Sequence, residues 1–380
     1  MSNTAPFRLA VPESDLIDLR RRLSATRWPD PETVDDWSQG VPLARMRDLV
    51  AYWRHDYDWR RCESMLNDYG LAETTIDDVA IRFLHVRSAH EGALPLLMTH
   101  GWPGSIVEFH KVVRPLTDPV AFGGHASDAF HLVVPCLPGY GLSERPREVG
   151  WTVDRTAEAW HVLMQRLGYQ EYVAHGEDKG SLVSISLGRM APEGLRAIHL
   201  TQLILIPLGD MPAETKSADH EAAVQQFRRY LEQESGYSVQ QRTRPQTLGY
   251  GLADSPVSQA AWVYEKLAAW SDCNGDPESI FTKDEILDNI MLYWLSNTGT
   301  SAARSYWEGR AADYTPSHLY LPVGCSIFPK EILLAPRSLA EHYYHDIFYW
   351  NELPKGGHFA AFEQPEIFVC EMRNCFASMR

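Results

Sequence analysis

The spacing of apolar residues changes several times along the chain, and each change marks a different element. Between Glu13 and Trp28, residues Leu16, Leu19, Leu23 and Trp28 recur at near-helical intervals among charges, behind Pro12 and Ser14 as a start signal. A second helix is predicted near 43–57 through Met46, Leu49, Val50 and Trp53. Residues 81–88 alternate as a strand does, and the rest of the first 90 reads as helices and loops. Short apolar runs follow at 94–100 and 130–139, each ending in glycine or proline; the first reads as a central parallel strand buried on both faces. A helix is predicted over 155–169 through Ala157, Trp160, Leu163, Met164 and Leu167. Residues 172–192 run from strand through a glycine-flanked turn into a helix, and 198–207 is strand-like again. From 211 to about 310 the pattern is helical and rich in Tyr, Trp and Gln. Strands return at 321–328 and 346–354, and a helix closes the chain from about 365.

Strands alternating with helices imply an α/β fold with a mostly parallel, doubly wound sheet. A helical insertion of about 100 residues inside such a domain usually caps a pocket. The expected division is an N-terminal helical meander (1–90), a first core part (91–210), a helical lid (211–312) and a second core part (313–380).

Composition narrows the partners. The net charge of −15 over 380 residues argues against nucleic acid and anionic membranes. The opening residues lack a signal-peptide pattern, and no stretch approaches the roughly 20 apolar residues of a membrane helix, so no membrane anchor is expected. Cys62, Cys136, Cys273, Cys325, Cys370 and Cys375 are scattered without a CxxC pair, which suits reduced thiols and a cytoplasmic location. A homodimer is expected from base rates alone.

The chemistry concentrates at 176–180, Gly-Glu-Asp-Lys-Gly, between a strand and a helix. This is a small-x-nucleophile-x-small turn whose strain pushes one side chain into a site. The central residue is Asp178. A carboxylate attacking a saturated carbon makes an alkyl ester, which suits epoxides or haloalkanes and not ordinary esters. A solvated acidic loop would use the same residues, so the turn needs support from elsewhere. His100-Gly101-Trp102-Pro103-Gly104 follows the first apolar strand, and the amide of Trp102 can join that of Lys179 as an oxyanion hole. Trp102 and Pro103 are also candidates for the substrate pocket. Late in the chain, Glu331 and His358 each follow a strand, and Asp178, Glu331, His358 is the nucleophile–acid–histidine order of the α/β-hydrolase fold.

Several motifs together resemble the microsomal and juvenile-hormone epoxide hydrolases. They are the His-Gly-Trp-Pro-Gly loop, Leu-Pro-Gly-Tyr-Gly-Leu-Ser (137–143) and Gly-Gly-His-Phe-Ala-Ala-Phe-Glu-Gln-Pro-Glu (356–366). Arg-Trp-Pro (27–29), Tyr-Trp-Arg (52–54) and Asp-Tyr-Asp-Trp-Arg (56–60) resemble that family's N-terminal meander. The similarity spans nearly the whole chain. It implies a cofactor-independent hydrolase that turns a small hydrophobic epoxide into a vicinal diol, in detoxification or natural-product biosynthesis. It also implies an acid at Glu331, 27 residues before the histidine, and an oxygen-activating pair, Tyr237 and Tyr306, in the lid. Two phenols can protonate the oxygen of a strained ether, whose alkoxide is a poor leaving group. Asp254-Ser255-Pro256 and Trp262 fit the family pattern as lid structure. No metal-ligand cluster is visible, and neither metal nor organic cofactor is expected.

The elbow departs from that family. Relatives usually carry Gly-Gly-Asp-Trp-Gly, where this chain has Glu177 and Lys179. A nearby Lys⁺ favours ionised Asp178 and Glu177 opposes it; side-chain directions decide the balance. Two rival readings are a haloalkane dehalogenase, which would want halide-binding tryptophan or asparagine, and a repurposed fold that binds without turnover. The intact Asp-Glu-His set argues against the second.

Overall fold

The computed structural model describes residues 4–205, 218–309 and 316–380. Its sheet contains β1 (Thr4–Pro6), β2 (Leu71–Ile76), β3 (Val79–Val86), β4 (Leu94–Thr99), β5 (Phe130–Pro135), β6 (Tyr172–Gly176), β7 (Leu195–Leu200), β8 (Val323–Ile327) and β9 (Ile347–Glu352). The spatial order is β1-β2-β3-β5-β4-β6-β7-β8-β9. From β5 to β9 every pairing is parallel, while β1, β2, β3 and β5 pair antiparallel. The sheet is therefore mostly parallel, with an antiparallel edge. The central β4 and β6 are almost wholly buried, as their continuous apolar runs require.

The N-terminal part holds more structure than its pattern suggests. After α1 (Glu13–Ser24) and α2 (Leu43–His55) come a third helix, α3 (Trp59–Tyr69), and the β2–β3 hairpin. The hairpin turns at Asp77 and Asp78, with φ of 48° and 61°, a left-handed pair that aspartate tolerates better than most residues. β2 reads Leu-Ala-Glu-Thr-Thr-Ile, too polar to stand out as a strand. Both start-signal residues sit at the beginning of α1: Pro12 holds the N-cap position without a side-chain bond, and the Ser14 hydroxyl, in the first turn, donates to Asp15 at 3.2 Å.

The central strands connect through α4 (His110–Thr117), α5 (Val153–Arg166) and α6 (Lys179–Met190), with α5 packed on α6. The run expected as a strand over 198–207 is extended only to Leu200, and its last two residues lie outside the described ones. The inserted helices are α7 (Ala218–Arg229), α8 (Gly236–Thr243), α9 (Pro245–Asp254), α10 (Pro256–Trp270), α11 (Lys283–Ser296) and α12 (Gly299–Gly309), with one π-helical segment at Tyr230–Glu234. The expected boundaries at 210/211 and 312/313 lie outside the described residues. The chain closes with α13 (Arg337–Tyr343), α14 (Ala360–Glu363) and α15 (Pro365–Cys375).

The N-terminal residues grip the inserted helices. Tyr57 donates to Asp288 Oδ1 at 2.7 Å, Arg61 to Asp288 Oδ2 at 2.6 Å, and Tyr52 to Asp284 at 3.0 Å. The same helix, α11, sends Asn289 to the Pro103 carbonyl (2.8 Å) and Tyr293 to the Gly104 carbonyl (2.5 Å). Through α11 the N-terminal residues thus hold the loop after β4. Among the described residues, no helix is long and apolar enough to cross a membrane.

Candidate active site

β6 ends at Gly176 and α6 begins at Lys179, leaving Asp178 at the reversal with φ 49° and ψ −122°. That conformation strains any residue with a Cβ. The neighbours make it affordable: a Cβ on Gly176 would overlap the Gly180 carbonyl, and one on Gly180 would overlap the Thr99 carbonyl of β4. Helix and strands therefore approach closely, and the Asp178 carboxylate projects from the carboxyl end of the sheet.

Its Oδ1 accepts the Trp102 amide at 2.8 Å, and the Lys179 amide also hydrogen-bonds the carboxylate. The two backbone donors expected from the sequence converge on one side chain. The loops after β8 and β9 supply the other predicted pair. His358 Nδ1 lies 2.8 Å from Glu331 Oε1, and its Nε2 lies 3.6 Å from Asp178 Oδ2. Both side chains are 2% exposed. The His358 amide donates to the Trp270 carbonyl (2.9 Å), and the Trp270 ring meets the imidazole edge to face at 5.1 Å.

The lid closes the site with aromatic rings. Tyr237 on α8 stacks on Trp102, with centroids 4.8 Å apart and planes 8° apart, and Tyr306 on α12 meets Trp102 edge-on at 6.1 Å. The two tyrosine rings are 6.0 Å apart. Both line the cavity over Asp178, together with Lys179, Gln202 and Tyr230. Trp102, covered by the Tyr237 ring, is not among the residues lining that cavity, and neither is Pro103. The Pro103 carbonyl instead holds α11.

Lys179 turns toward the lid, where its ammonium donates to the Ser305 carbonyl at 3.4 Å and lies 4.7 Å over the Tyr306 ring. Glu177 is buried, and neither of its oxygens has a hydrogen-bond partner at normal distance. The carboxyl it interacts with is Glu108, also buried. Burial, reinforced by the Glu331 and Asp178 charges, pushes Glu177 up to about 7 against the pull of Glu108 and His358. Burial and then Glu177 hold Glu108 well above the ordinary carboxyl range. A buried pair in that state retains a proton at neutral pH. Asp178 is raised by burial, with His358 and the two amides opposing the shift. Burial disfavours the His358 imidazolium, but Glu331, Asp178 and Glu177 outweigh it and bring its pKa to about 9.

Sequence reasoning missed four contributors. Gln202 donates to Glu331 Oε1 at 2.9 Å, and the Tyr230 hydroxyl lies 3.1 Å from that of Tyr237. Trp270 backs the histidine, and the Lys266 ammonium lies 4.9 Å over the Tyr237 ring. Gln202 stands just beyond the end of β7, where α/β sheets place ligand groups; that was its only sequence signal. The others sit in helices without a motif. Among the described residues, no group of three or more His, Cys, Asp or Glu could hold a metal ion.

Fold and elbow define an α/β-hydrolase with a carboxylate at the nucleophile position. A family model described as alpha/beta hydrolase fold matches residues 95–325, and one described as epoxide hydrolase N terminus matches residues 4–109. A protein of Stigmatella aurantiaca (strain DW4/3-1), provisionally described as an epoxide hydrolase, is 52% identical over 375 residues, covering 99% of this chain and 85% of its own. Epoxide hydrolase 1 of Sus scrofa is 32% identical, over 97% of this chain and 87% of its own. The structure of juvenile hormone epoxide hydrolase from Bombyx mori superposes with a TM-score of 0.90 at 26% identity, covering 100% of this chain and 95% of that one. The chain belongs to the epoxide hydrolase family.

Proposed function

We propose that the chain hydrolyses epoxides to vicinal diols through an ester on Asp178. The observation that carries this reading is the Asp178 carboxylate itself, with Oδ1 held by the Trp102 amide at 2.8 Å and two phenols lining the cavity above it. Oδ2 attacks one epoxide carbon while Tyr237 and Tyr306 hydrogen-bond the oxygen, and one phenol gives it a proton. Water then adds to the ester carbonyl, with His358 taking its proton and the two amides holding the oxyanion. The diol leaves with one hydrogen of that water. The other returns from His358, through solvent, to the phenolate.

The charges suit this order. At rest the Asp178 anion helps hold His358 protonated, at a pKa of about 9. Ester formation removes that anion, so the imidazolium loses one of its supports and can shed its proton as hydrolysis begins. Glu331, fixed by Gln202 (2.9 Å) and the Ile332 amide (2.7 Å), keeps the ring oriented.

The reading includes the four-part division at 90, 210 and 312, a cytoplasmic location in keeping with six free cysteines, and a homodimer on base rates. Purified protein should convert styrene oxide-like epoxides and lose that ability in Asp178→Ala. In a single turnover in heavy-oxygen water, the label should enter the Asp178 carboxylate and not the diol. Full turnover in Asp178→Ala contradicts the reading.

A further inference from the structure

Each phenol over Asp178 has an ammonium against its ring. Lys179 Nζ lies 4.7 Å from the centroid of Tyr306, and Lys266 Nζ lies 4.9 Å from that of Tyr237. The two lysines come from unrelated elements, the first turn of α6 and the lid helix α10, yet repeat one geometry. Both are buried: Lys179 is 8% and Lys266 5% exposed. Burying an ammonium is costly unless it is compensated. Lys179 is steadied by the Ser305 carbonyl at 3.4 Å, one residue before Tyr306. Lys266 pairs with Glu265 at 2.8 Å, lies 3.8 Å from Glu234, and also covers the Trp270 ring at 5.4 Å.

We propose that Lys179 and Lys266 form a cationic backing that strengthens Tyr306 and Tyr237 as acids during ring opening. The inference rests on the epoxide-hydrolysing reading above and assigns the lysines as positioning residues that act through the phenols. An ammonium over a ring face is attracted to the π electrons of a phenol. It is attracted more strongly to a phenolate, whose extra charge spreads into the ring. The cation therefore favours the deprotonated form and lowers the barrier to proton donation.

Charge movement in the reaction sharpens the effect. In the resting site the Asp178 anion opposes phenolate formation and the His358 imidazolium beside it favours it; the Tyr230 hydroxyl lies 3.1 Å from that of Tyr237, and Glu234 and Glu265 stand against Lys266. During attack the negative charge leaves Asp178 and reaches the epoxide oxygen. The C–O electron pair takes the phenol proton, and the charge passes to the phenolate, next to an ammonium that has not moved. Stabilisation that grows along this path lowers the barrier and not only the ground state. It also explains how the elbow can carry lysine: the side chain leaves the nucleophile and turns to the lid.

The test is single-turnover alkylation of Asp178 together with a spectroscopic titration of tyrosinate, in Lys179→Met, Lys266→Met and the matching arginine variants. Each methionine variant should slow alkylation on the order of tenfold, the effect of about one pKa unit on the acid. Each should also move a tyrosine titration upward, and arginine, which keeps the charge, should restore both. The tyrosine signal that moves in a lysine variant should be absent from Tyr306→Phe for Lys179 and from Tyr237→Phe for Lys266, and recovery in the arginine variants shows that the fold is kept. Methionine variants with unchanged alkylation and titration overturn the inference, as do arginine variants no better than methionine. If Tyr237→Phe/Tyr306→Phe alkylates at the wild-type rate, the tyrosine roles fail instead, whatever the lysine variants do.

Discussion

His358 Nε2 stands 3.6 Å from Asp178 Oδ2, beyond hydrogen-bond length, while its Nδ1 is 2.8 Å from Glu331. The imidazole is thus anchored on its far side and leaves the carboxylate oxygen open to attack carbon. Removing the anchor should harm hydrolysis and spare alkylation. In Glu331→Gln the adduct should decay about 10⁴-fold more slowly, the loss when an orienting carboxylate becomes its amide. Glu331 raises the His358 pKa, so the pH midpoint of adduct decay should also fall. Rapid-quench mass spectrometry across pH measures both. An unchanged midpoint would place Glu331 outside the titrating unit.

The lid tyrosines should share their work redundantly. Either Tyr237→Phe or Tyr306→Phe leaves one donor on the oxygen, so each should cost roughly 10²-fold in alkylation, and the double variant should abolish it. The measurement is the pre-steady-state alkylation rate. Retention of that rate in the double variant would make the pair structural.

Glu177 should make stability depend on pH. Its folded pKa, about 7, stands above the ordinary 4.5, so its protonated form is the one the fold favours. That contribution is fully present below about 4.5 and is lost as pH rises through about 7. Glu177→Gln, which cannot ionise, should be more stable than wild type at about pH 8 by on the order of 3 kcal/mol, and the gap should close at about pH 4. Denaturation midpoints across that range decide it. A gap independent of pH would mean that Glu177 shares its burial with a cation.

The meander-to-lid clasp should be worth a measurable share of stability. Asp288, 3% exposed, accepts from both Tyr57 and Arg61. Asp288→Ala leaves the buried Tyr57 hydroxyl without its acceptor, while Arg61, 44% exposed, keeps water and Asp284 at 3.6 Å, so the cost should be about 1–3 kcal/mol. Because α11 also holds the Pro103 and Gly104 carbonyls, the loss should reach the oxyanion loop as well. Thermal denaturation and alkylation rate should fall together in this variant. A fall in stability alone would separate the clasp from the site.

The sequence revealed what lies in contiguous runs. The elbow was legible because glycine, nucleophile and glycine fall within five residues, and β4, β5 and β6 because apolar runs end at turns. β2 was hidden by its own polarity and by a hairpin turning on two aspartates instead of an Asn-Gly or Asp-Gly pair. Tyr237 and Tyr306 could be chosen among 17 tyrosines only through family resemblance. Tyr230, Trp270 and Lys266 gain their positions by packing across the lid, a relation that no local period records. The competing influences of Glu177 and Lys179 could not be weighed from the chain alone. They separate because one side chain turns inward to Glu108 and the other outward to Tyr306.

The central claim is that Asp178 carries the intermediate and His358 acts only on its hydrolysis. His358→Gln, mixed with excess epoxide and digested, tests it most directly by peptide mass spectrometry. The expected result is a stable adduct of one substrate mass on the peptide containing Asp178, with turnover stalled and no adduct in Asp178→Ala. An adduct mapped to any other residue, or steady diol production by His358→Gln with no adduct, would contradict it.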